Sequence, residues 1–413
     1  MSKIHVCIVS KEILANIIPV LADKNVSGFI SFAGDNTQKK QGRRLTEILA
    51  SKNIPLIKSV NAKNSFDYPA ILAVAKKLRT QLTRDYGEHT WVINLTGGTK
   101  LMSFALHAAF ADAKQAELIY LDSQNGALRY VNETDQAIPT TSVIDLTTYL
   151  KAQNFIVTSN PATDVDEVEY MAQRKHLINN VFIRNIGRSW LLSSVFNGPA
   201  SAVENNENKL TQPIKNKIKP DAIPFIEQLE TAGLFTWDRN KKTFTFTNIE
   251  SAFFLAGGWL EEYAYWCAVD AGIKNIGLNV QGYWDTDVTG ENTNNPTNEF
   301  DLVLCHHNKL LVIECKTLGN INDQGKGQDI VNKIEALGNK LGGLYGSSML
   351  LSSSKVSQDD NYSQHVASRL KSYRIDVIQS NDLRNLTEKI RTWMQKSESK
   401  IIQEPMLTEE SVT

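Results

Sequence analysis

Three residues have types that could do chemistry inside a nearly apolar stretch, EFDLVLCHHNKLLVIECKT at 299–317: Asp301, Glu314 and Lys316. Side chains two apart on a strand share a face, so Glu314 and Lys316 point one way and Ile313, Cys315 and Thr317 the other. Asp301 opens the preceding run DLVLC, and HHNK reads as the turn of a hairpin that brings Asp301 towards Glu314. Paired carboxylates hold Mg²⁺ or Mn²⁺ through oxygen, and such an ion polarises a phosphoryl group and acidifies a bound water. A neighbouring lysine orients that water or offsets charge growing on the phosphoryl oxygens. A second metal needs a further carboxylate, for which Glu261 or Glu262 in GGWLEEYAYW is available. An E-x-K alone reads as an ordinary ion pair on a hairpin edge. Asp before one apolar strand, a short turn, E-x-K inside the next and an upstream glutamate together favour a metal site.

A second stretch, INLTGGTKLMSFALHAAF, ends a strand at Leu95, turns through TGGT and starts a helix near Thr99. Amides at a helix N-terminus attract anions, and glycines let a ligand approach the backbone. The turn is not a P-loop, because G-x-x-x-x-G-K-[ST] is missing, and no G-x-G-x-x-G follows the first strand.

Positioning these residues requires a frame. Over 1–150, IHVCIV, GFISFAG, IPLIKSV, HTWVINL and AELIYLD read as strands. ILANIIPVLADK, RRLTEILASK, YPAILAVAKKLRTQL and KLMSFALHAAFADA between them read as helices. Strict alternation predicts a Rossmann-like parallel sheet covered on both faces, with ligands beyond the carboxyl ends of its strands. Over 151–250, helices, a polar loop GPASAVENNENKLTQP, the helix AIPFIEQLETAGLF and the hairpin FTWDRNKKTFTFTN suggest a small winged-helix-like segment. Lys209, Lys215, Lys217 and Lys219 beside it read as a solvated face. Residues 251–390 read as mixed α/β, and 391–413 as a tail that frays over its last dozen residues.

The chain has 413 residues, long enough for two or three domains, and a net charge of −1 that argues against a strongly basic nucleic-acid coat but not against a local groove. No apolar run approaches the roughly 20 residues of a membrane span, and MSKIHVCIVSKE reads as a first strand, so neither membrane nor secretion is expected. Cys7, Cys267, Cys305 and Cys315 form no C-x-x-C pair and sit in apolar runs, which suggests a cytoplasmic protein without disulfides or zinc.

The order of helix glutamate, Asp301 and Glu314-Cys315-Lys316 resembles the PD-(D/E)xK, restriction-endonuclease-like nucleases over about 251–385. That family sets its glutamate about eleven residues before a helix-ending glycine, as Glu261 precedes Gly272, which favours Glu261 over Glu262. Phe300 stands where the family often has proline. TGGTK within a Rossmann-like domain resembles the CARF sensor domain of type III CRISPR accessory proteins, whose turn lies under a cyclic oligoadenylate. By that resemblance Thr96, Gly97, Gly98, Thr99 and Lys100 line the ligand site, joined by Ser10, Thr37 and Gln38 from other strand ends. The whole chain resembles CARF-fused PD-(D/E)xK nucleases. The resemblance implies a homodimer, cyclic tetra-adenylate as activator with hexa-adenylate left open, and Mn²⁺- or Mg²⁺-dependent cleavage of DNA or RNA. Two other readings are a cyclic-oligoadenylate-responsive regulator with an inactive nuclease fold, and a ring nuclease acting on its own activator. Intact Asp301, Glu314 and Lys316 disfavour the first; the lack of an acid–base pair near TGGTK disfavours the second.

Overall fold

The computed structural model describes all residues except 36–37, 132–136, 189–194, 197, 201, 204–208, 286–297, 318–325, 342–344, 355–360 and 399–413. Thr37 and the final dozen residues of the expected tail therefore lie outside the described residues. The chain divides into two compact units. One comprises Met1–Phe155, His306–Asn308 and the described residues from Met394 on; the other comprises Ile156–Cys305 and Lys309–Trp393.

In the first unit, strand and helix alternate as the apolar periodicity predicts: β1 (Lys3–Ile8), α1 (Leu14–Ala22), β2 (Val26–Ala33), α2 (Lys39–Ser51), β3 (Leu56–Asn61), α3 (Tyr68–Asp85), β4 (Thr90–Asn94), α4 (Lys100–Phe110) and β5 (Ala116–Asp122). Two short strands, β6 (Ala127–Tyr130) and β7 (Ala137–Pro139), and helix α5 (Leu146–Ala152) follow. The sheet order is β3-β2-β1-β4-β5-β6-β7. Its first five strands run parallel, and β6 and β7 extend the edge antiparallel. Ile4, Val6 and Ile8 of β1 pack with Ile71, Ala75 and Leu78 of α3 and Met102, Leu106 and Phe110 of α4. His5, on the alternate face, bonds Asp23 just beyond α1. Order reverses between β1 and β4, the crevice where doubly wound sheets bind ligands.

The chain continues with β8 (Phe155–Ser159), α6 (Val165–Leu177), β9 (Thr211–Pro213), α7 (Ile223–Thr231), β10 (Phe235–Asp238), β11 (Thr243–Phe246), α8 (Trp259–Ala271), β12 (Asn275–Trp284), β13 (Asn298–His306), β14 (Lys309–Lys316), α9 (Lys326–Leu341), β15 (Gly346–Ser352), α10 (Asn361–Ser372), β16 (Asp376–Gln379) and α11 (Leu386–Ser397). A six-stranded sheet runs β16-β15-β14-β13-β12-β8. β12 and β13 are antiparallel, whereas β14, β15 and β16 are parallel. Ile330, Val331 and Ile334 seat α9 on Leu350 of β15 and on Val366 and Leu370 of α10.

The middle segment forms a three-stranded antiparallel sheet, β10-β11-β9. Phe235 and Phe244 pack on Phe196 at ring-centroid distances of 5.2 and 5.0 Å, which gives the hairpin a buried face. The stretch expected as one polar loop is partly ordered: positions 198–200 and 202–203 are helical, and Thr211–Pro213 pairs with β11. Ala200 and Val203 are fully buried there, an apolar pair that the surrounding Asn and Glu residues hid in the sequence. Lys209, Lys215, Lys217 and Lys219 are exposed. α11 runs across the expected boundary at 390/391; Ile390 is buried, and Trp393 donates its indole N–H to Ser347 Oγ at 2.8 Å. All four cysteines are buried and none forms a disulfide. No helix among the described residues is long and apolar enough to cross a membrane.

Candidate functional site

The β13–β14 hairpin turns through His307 and Asn308, both at positive φ (45° and 63°), the backbone of a tight two-residue hairpin turn. That register sets Asp301 beside the 314–316 segment: Asp301 Oδ2 accepts the Cys315 amide hydrogen at 2.7 Å. Glu314 and Lys316 share the face that the alternation requires, with Lys316 Nζ 2.7 Å from Glu314 Oε1 and 3.7 Å from Asp301 Oδ2.

The glutamate helix is brought in by its glycine pair. A Cβ on Gly257 would stand 2.9 Å from Thr317 Oγ1, and the Thr317 hydroxyl donates to the Ala256 carbonyl at 3.2 Å. The backbone before α8 thus lies against the residue that follows Lys316, and the first turn of α8 starts at the end of the motif strand. Gly272, at φ 98°, closes the helix in the left-handed conformation.

Of the two glutamates in that turn, the structure directs Glu261 to Asp301 and Glu262 elsewhere. Burial, then the charge of Asp301, pushes the Glu261 carboxyl up to about 8. Glu261 Oε2 is fully buried with no hydrogen-bond partner among the described residues. Glu262 instead pairs with Arg174 of α6, whose Nε lies 3.0 Å from both carboxylate oxygens. Asp301, only 7% exposed, is raised to about 6 by burial and by the charge of Glu314. Burial alone would lower the Lys316 ammonium, yet the charges of Asp301 and Glu314 hold it above its ordinary range. Three carboxylates and a lysine therefore share one poorly hydrated space. Glu261, Asp301 and Glu314 offer the acidic oxygen donors that a divalent cation takes, with one buried oxygen left over, and would draw closer to hold one, since oxygens from all three do not lie within 4.8 Å of one another.

Two residues of this centre were not singled out from sequence. Asn279 lies opposite Asp301 in the β12–β13 ladder, where Leu278 pairs Leu302 and Val280 pairs Phe300. It adopts φ 48°, a left-handed conformation that asparagine tolerates better than most residues, and bonds the Glu261 carboxyl. Lys333 of α9 places Nζ 2.8 Å from Glu314 Oε1 and 3.9 Å from Asp301 Oδ1. Its only signal in the sequence is a lysine set beside the apolar stripe Ile330, Val331 and Ile334.

The 95–100 turn is built differently. Thr96 Oγ1 accepts the Leu121 amide at 2.7 Å. Thr99 Oγ1 donates to the Ser65 carbonyl at 2.8 Å and accepts the Met102 amide at 3.3 Å, capping α4. A Cβ on Gly97 would fall on the Ile8 carbonyl oxygen, so this glycine serves the close approach of β1 and β4. Gly98, at φ 75°, is exposed, as is Lys100. Buried Asn16 and Asn94 tie the strand ends together: Asn16 Nδ2 donates to Ile8 O at 2.8 Å, and Asn94 Nδ2 to Asn16 Oδ1 at 3.0 Å. Ser10 Oγ donates to the Glu12 carbonyl at 3.2 Å, and Gln38 Oε1 accepts the Gly34 amide at 2.7 Å. The threonine hydroxyls thus serve the fold, leaving the α4 N-terminus, Gly98 and Lys100 as the part of the turn that faces outward. That combination suits an anion.

Residues 4–149 match a family model described as the Card1 CARF domain, and residues 249–397 one described as the Card1-like endonuclease domain. Protein VC1899 from Vibrio cholerae has the same fold, with a TM-score of 0.81 and 22% identity over 96% of this chain and 99% of that one. Can2 from Sulfobacillus thermosulfidooxidans, solved in complex with cyclic tetra-adenylate, superposes with a TM-score of 0.66 and 22% identity over 95% of this chain and 97% of its own. No curated protein matches the chain in sequence.

Proposed function

The chain belongs to the Card1-like family, joining that family's CARF domain to its endonuclease domain, and on that premise we propose that it is a cyclic-oligoadenylate-activated, metal-dependent endonuclease of type III CRISPR defence. The observation that carries the reading is the convergence of Glu261, Asp301 and Glu314 on one buried space with Lys316. Burial and then neighbouring carboxylate charge raise Glu261 and Asp301, and a cation would relieve that. Glu261, Asp301 and Glu314 would hold Mn²⁺ or Mg²⁺, which would supply polarisation of the scissile phosphoryl group and a more acidic water. Hydrolysis joins the water oxygen to phosphorus and breaks one P–O ester bond, and the departing oxygen takes a proton. Lys316 stabilises the charge that grows on the non-bridging oxygens. Asn279 holds the Glu261 carboxyl, and the Cys315 amide holds Asp301.

The activator is cyclic tetra-adenylate, the ligand carried by Can2, whose fold this chain shares. It lies against the outward part of the 95–100 turn, with Lys100 and the start of α4 meeting its phosphates. A ring with internal two-fold symmetry is best gripped by two copies of one site, so the active species is a homodimer binding one ring per two chains. The test is a matrix of single- and double-stranded DNA and RNA with Mn²⁺ or Mg²⁺, each with and without cyclic tetra- and hexa-adenylate. Cleavage that needs both metal and ring supports the reading. Equal cleavage with and without every ring defeats the gating, and none in any combination defeats the enzyme.

A further inference from the structure

Lys333 is the cation that, among the described residues, joins the nuclease centre from outside the motif. It comes from α9, separated from the glutamate helix by three strands in the chain, and reaches the same carboxylate oxygen as Lys316: the two ammoniums lie 2.8 and 2.7 Å from Glu314 Oε1. Their surroundings differ. The Lys316 side chain is 24% exposed, lies 3.7 Å from Asp301 Oδ2 and is held there by both acidic groups. The Lys333 side chain is 40% exposed, so it stands at the mouth of the centre rather than inside it. Its helix is seated by Ile330, Val331 and Ile334, with Ile334 the very next residue, which fixes where the stem of Lys333 begins.

Glu261, Asp301 and Glu314, when ionised beside Lys316, carry a net charge of −2. One divalent cation only offsets that charge, and Glu299, which also acts on Glu261, keeps the loaded centre from attracting a phosphodiester by itself. A further lysine at the rim moves the loaded centre one unit towards the positive charge that complements a phosphodiester.

We propose that Lys333 is a substrate-binding residue of the nuclease centre: it holds Glu314 while the metal is away and turns to a non-bridging oxygen of the nucleic-acid backbone when the metal and substrate arrive. The proposal rests on the nuclease reading of Glu261, Asp301, Glu314 and Lys316, and its test does not require turnover. Lys333→Ala and Lys333→Gln, the latter keeping a side chain that can hydrogen-bond Glu314, are compared with the wild-type full-length protein by anisotropy of fluorescein-labelled single-stranded DNA and RNA oligonucleotides. Binding is measured in Ca²⁺, with and without cyclic tetra-adenylate, across a salt series. Mn²⁺ affinity is measured separately by calorimetry. Loss of one phosphate contact lowers oligonucleotide affinity by roughly tenfold and reduces the salt slope by about 1 in both variants. Mn²⁺ affinity stays the same or rises, because a cation competing for Glu314 has gone. Lys333→Arg restores the salt slope. Wild-type oligonucleotide affinity and salt slope in Lys333→Ala overturn the proposal. So does a loss of Mn²⁺ affinity as deep as that of Glu314→Gln, which would make Lys333 a structural support of the carboxylates. Failure of wild-type protein to cut any nucleic acid would instead strike the nuclease reading, which the anisotropy series leaves separately decided.

Discussion

At the 95–100 turn the protein answers its own polar side chains: the Thr96 and Thr99 hydroxyls, Asn16 and Asn94 all bond backbone or one another. At the 261–316 centre it does the reverse, crowding carboxylates until burial and mutual charge raise Glu261 and Asp301, with one Glu261 oxygen left without a partner among the described residues. The contrast separates two uses of a motif. Residues of the turn are satisfied within the fold whether or not a ligand binds; residues of the centre are held against the preference of the fold, so the proposed metal would stabilise them. Substitutions should therefore behave oppositely in the two places.

The largest expected effect is catalytic. Glu314→Gln or Asp301→Asn should abolish cleavage, and Lys316→Ala should slow it by roughly 10²–10³-fold. Calorimetry with cyclic tetra-adenylate should read unchanged activator binding in all three. Asp301→Asn should also leave the metal-free protein at least as heat-stable as the wild type, since it removes a like charge and keeps an acceptor for the Cys315 amide. A marked fall in its melting temperature would break the contrast.

The next effect is on pH dependence. The Glu261 carboxyl is raised from 4.5 to about 8, so the folded protein binds a proton there more tightly than the unfolded chain. Its contribution to stability is complete below about 4.5 and is lost as pH rises through about 8, on the order of a few kcal/mol for so buried a group. Denaturant unfolding of metal-free protein at a series of pH values should show that decline. Glu261→Gln should remove the part of the decline above about pH 6, leaving the share of Asp301 below it, and saturating Mn²⁺ should reverse the wild-type decline, because the metal binds the ionised form. A wild-type profile flat over this range would leave Glu261 neither buried nor crowded by Asp301.

Smaller effects belong to the turn. Gly97→Ala should destabilise the first unit by about 1–3 kcal/mol, as overpacking does, because the methyl group meets the Ile8 carbonyl. Hydrogen exchange should place the loss in β1 and β4. Thr99→Ala should cost about 1 kcal/mol through the lost helix cap, with Thr99→Ser restoring it. Lys100→Ala should change no melting temperature while raising the concentration of cyclic tetra-adenylate needed for half-maximal cleavage. If Gly97→Ala and Thr99→Ala left stability intact and lowered only ring affinity, the turn would be a ligand site first and a packing device second.

Period and spacing made most of this legible in the sequence. Alternating apolar runs of period two and 3.6 marked β1–β5 and α1–α4, and the two-residue alternation in IECKT placed Glu314 with Lys316. What stayed hidden depends on contacts between distant segments. The choice between Glu261 and Glu262 turns on Arg174, 88 residues upstream of Glu262, which no local pattern reports. Lys333 looks like any helix lysine until α9 is laid beside β14. The glycines of TGGT suggested room for a ligand, whereas Gly97 is needed for the Ile8 carbonyl, a protein–protein approach that the string alone cannot distinguish from a protein–ligand one.

The residue between Glu314 and Lys316 shows how such a centre can drift in sequence. Cys315 gives the site its amide hydrogen, which every residue but proline possesses, while its side chain is turned away into the core. The chemistry therefore places almost no demand on the identity of position 315, and the neighbouring core alone selects it. A lineage can rewrite the packing around β14 one apolar residue at a time and carry the centre along unchanged, leaving descendants that share a fold and a few charged letters but little readable spelling.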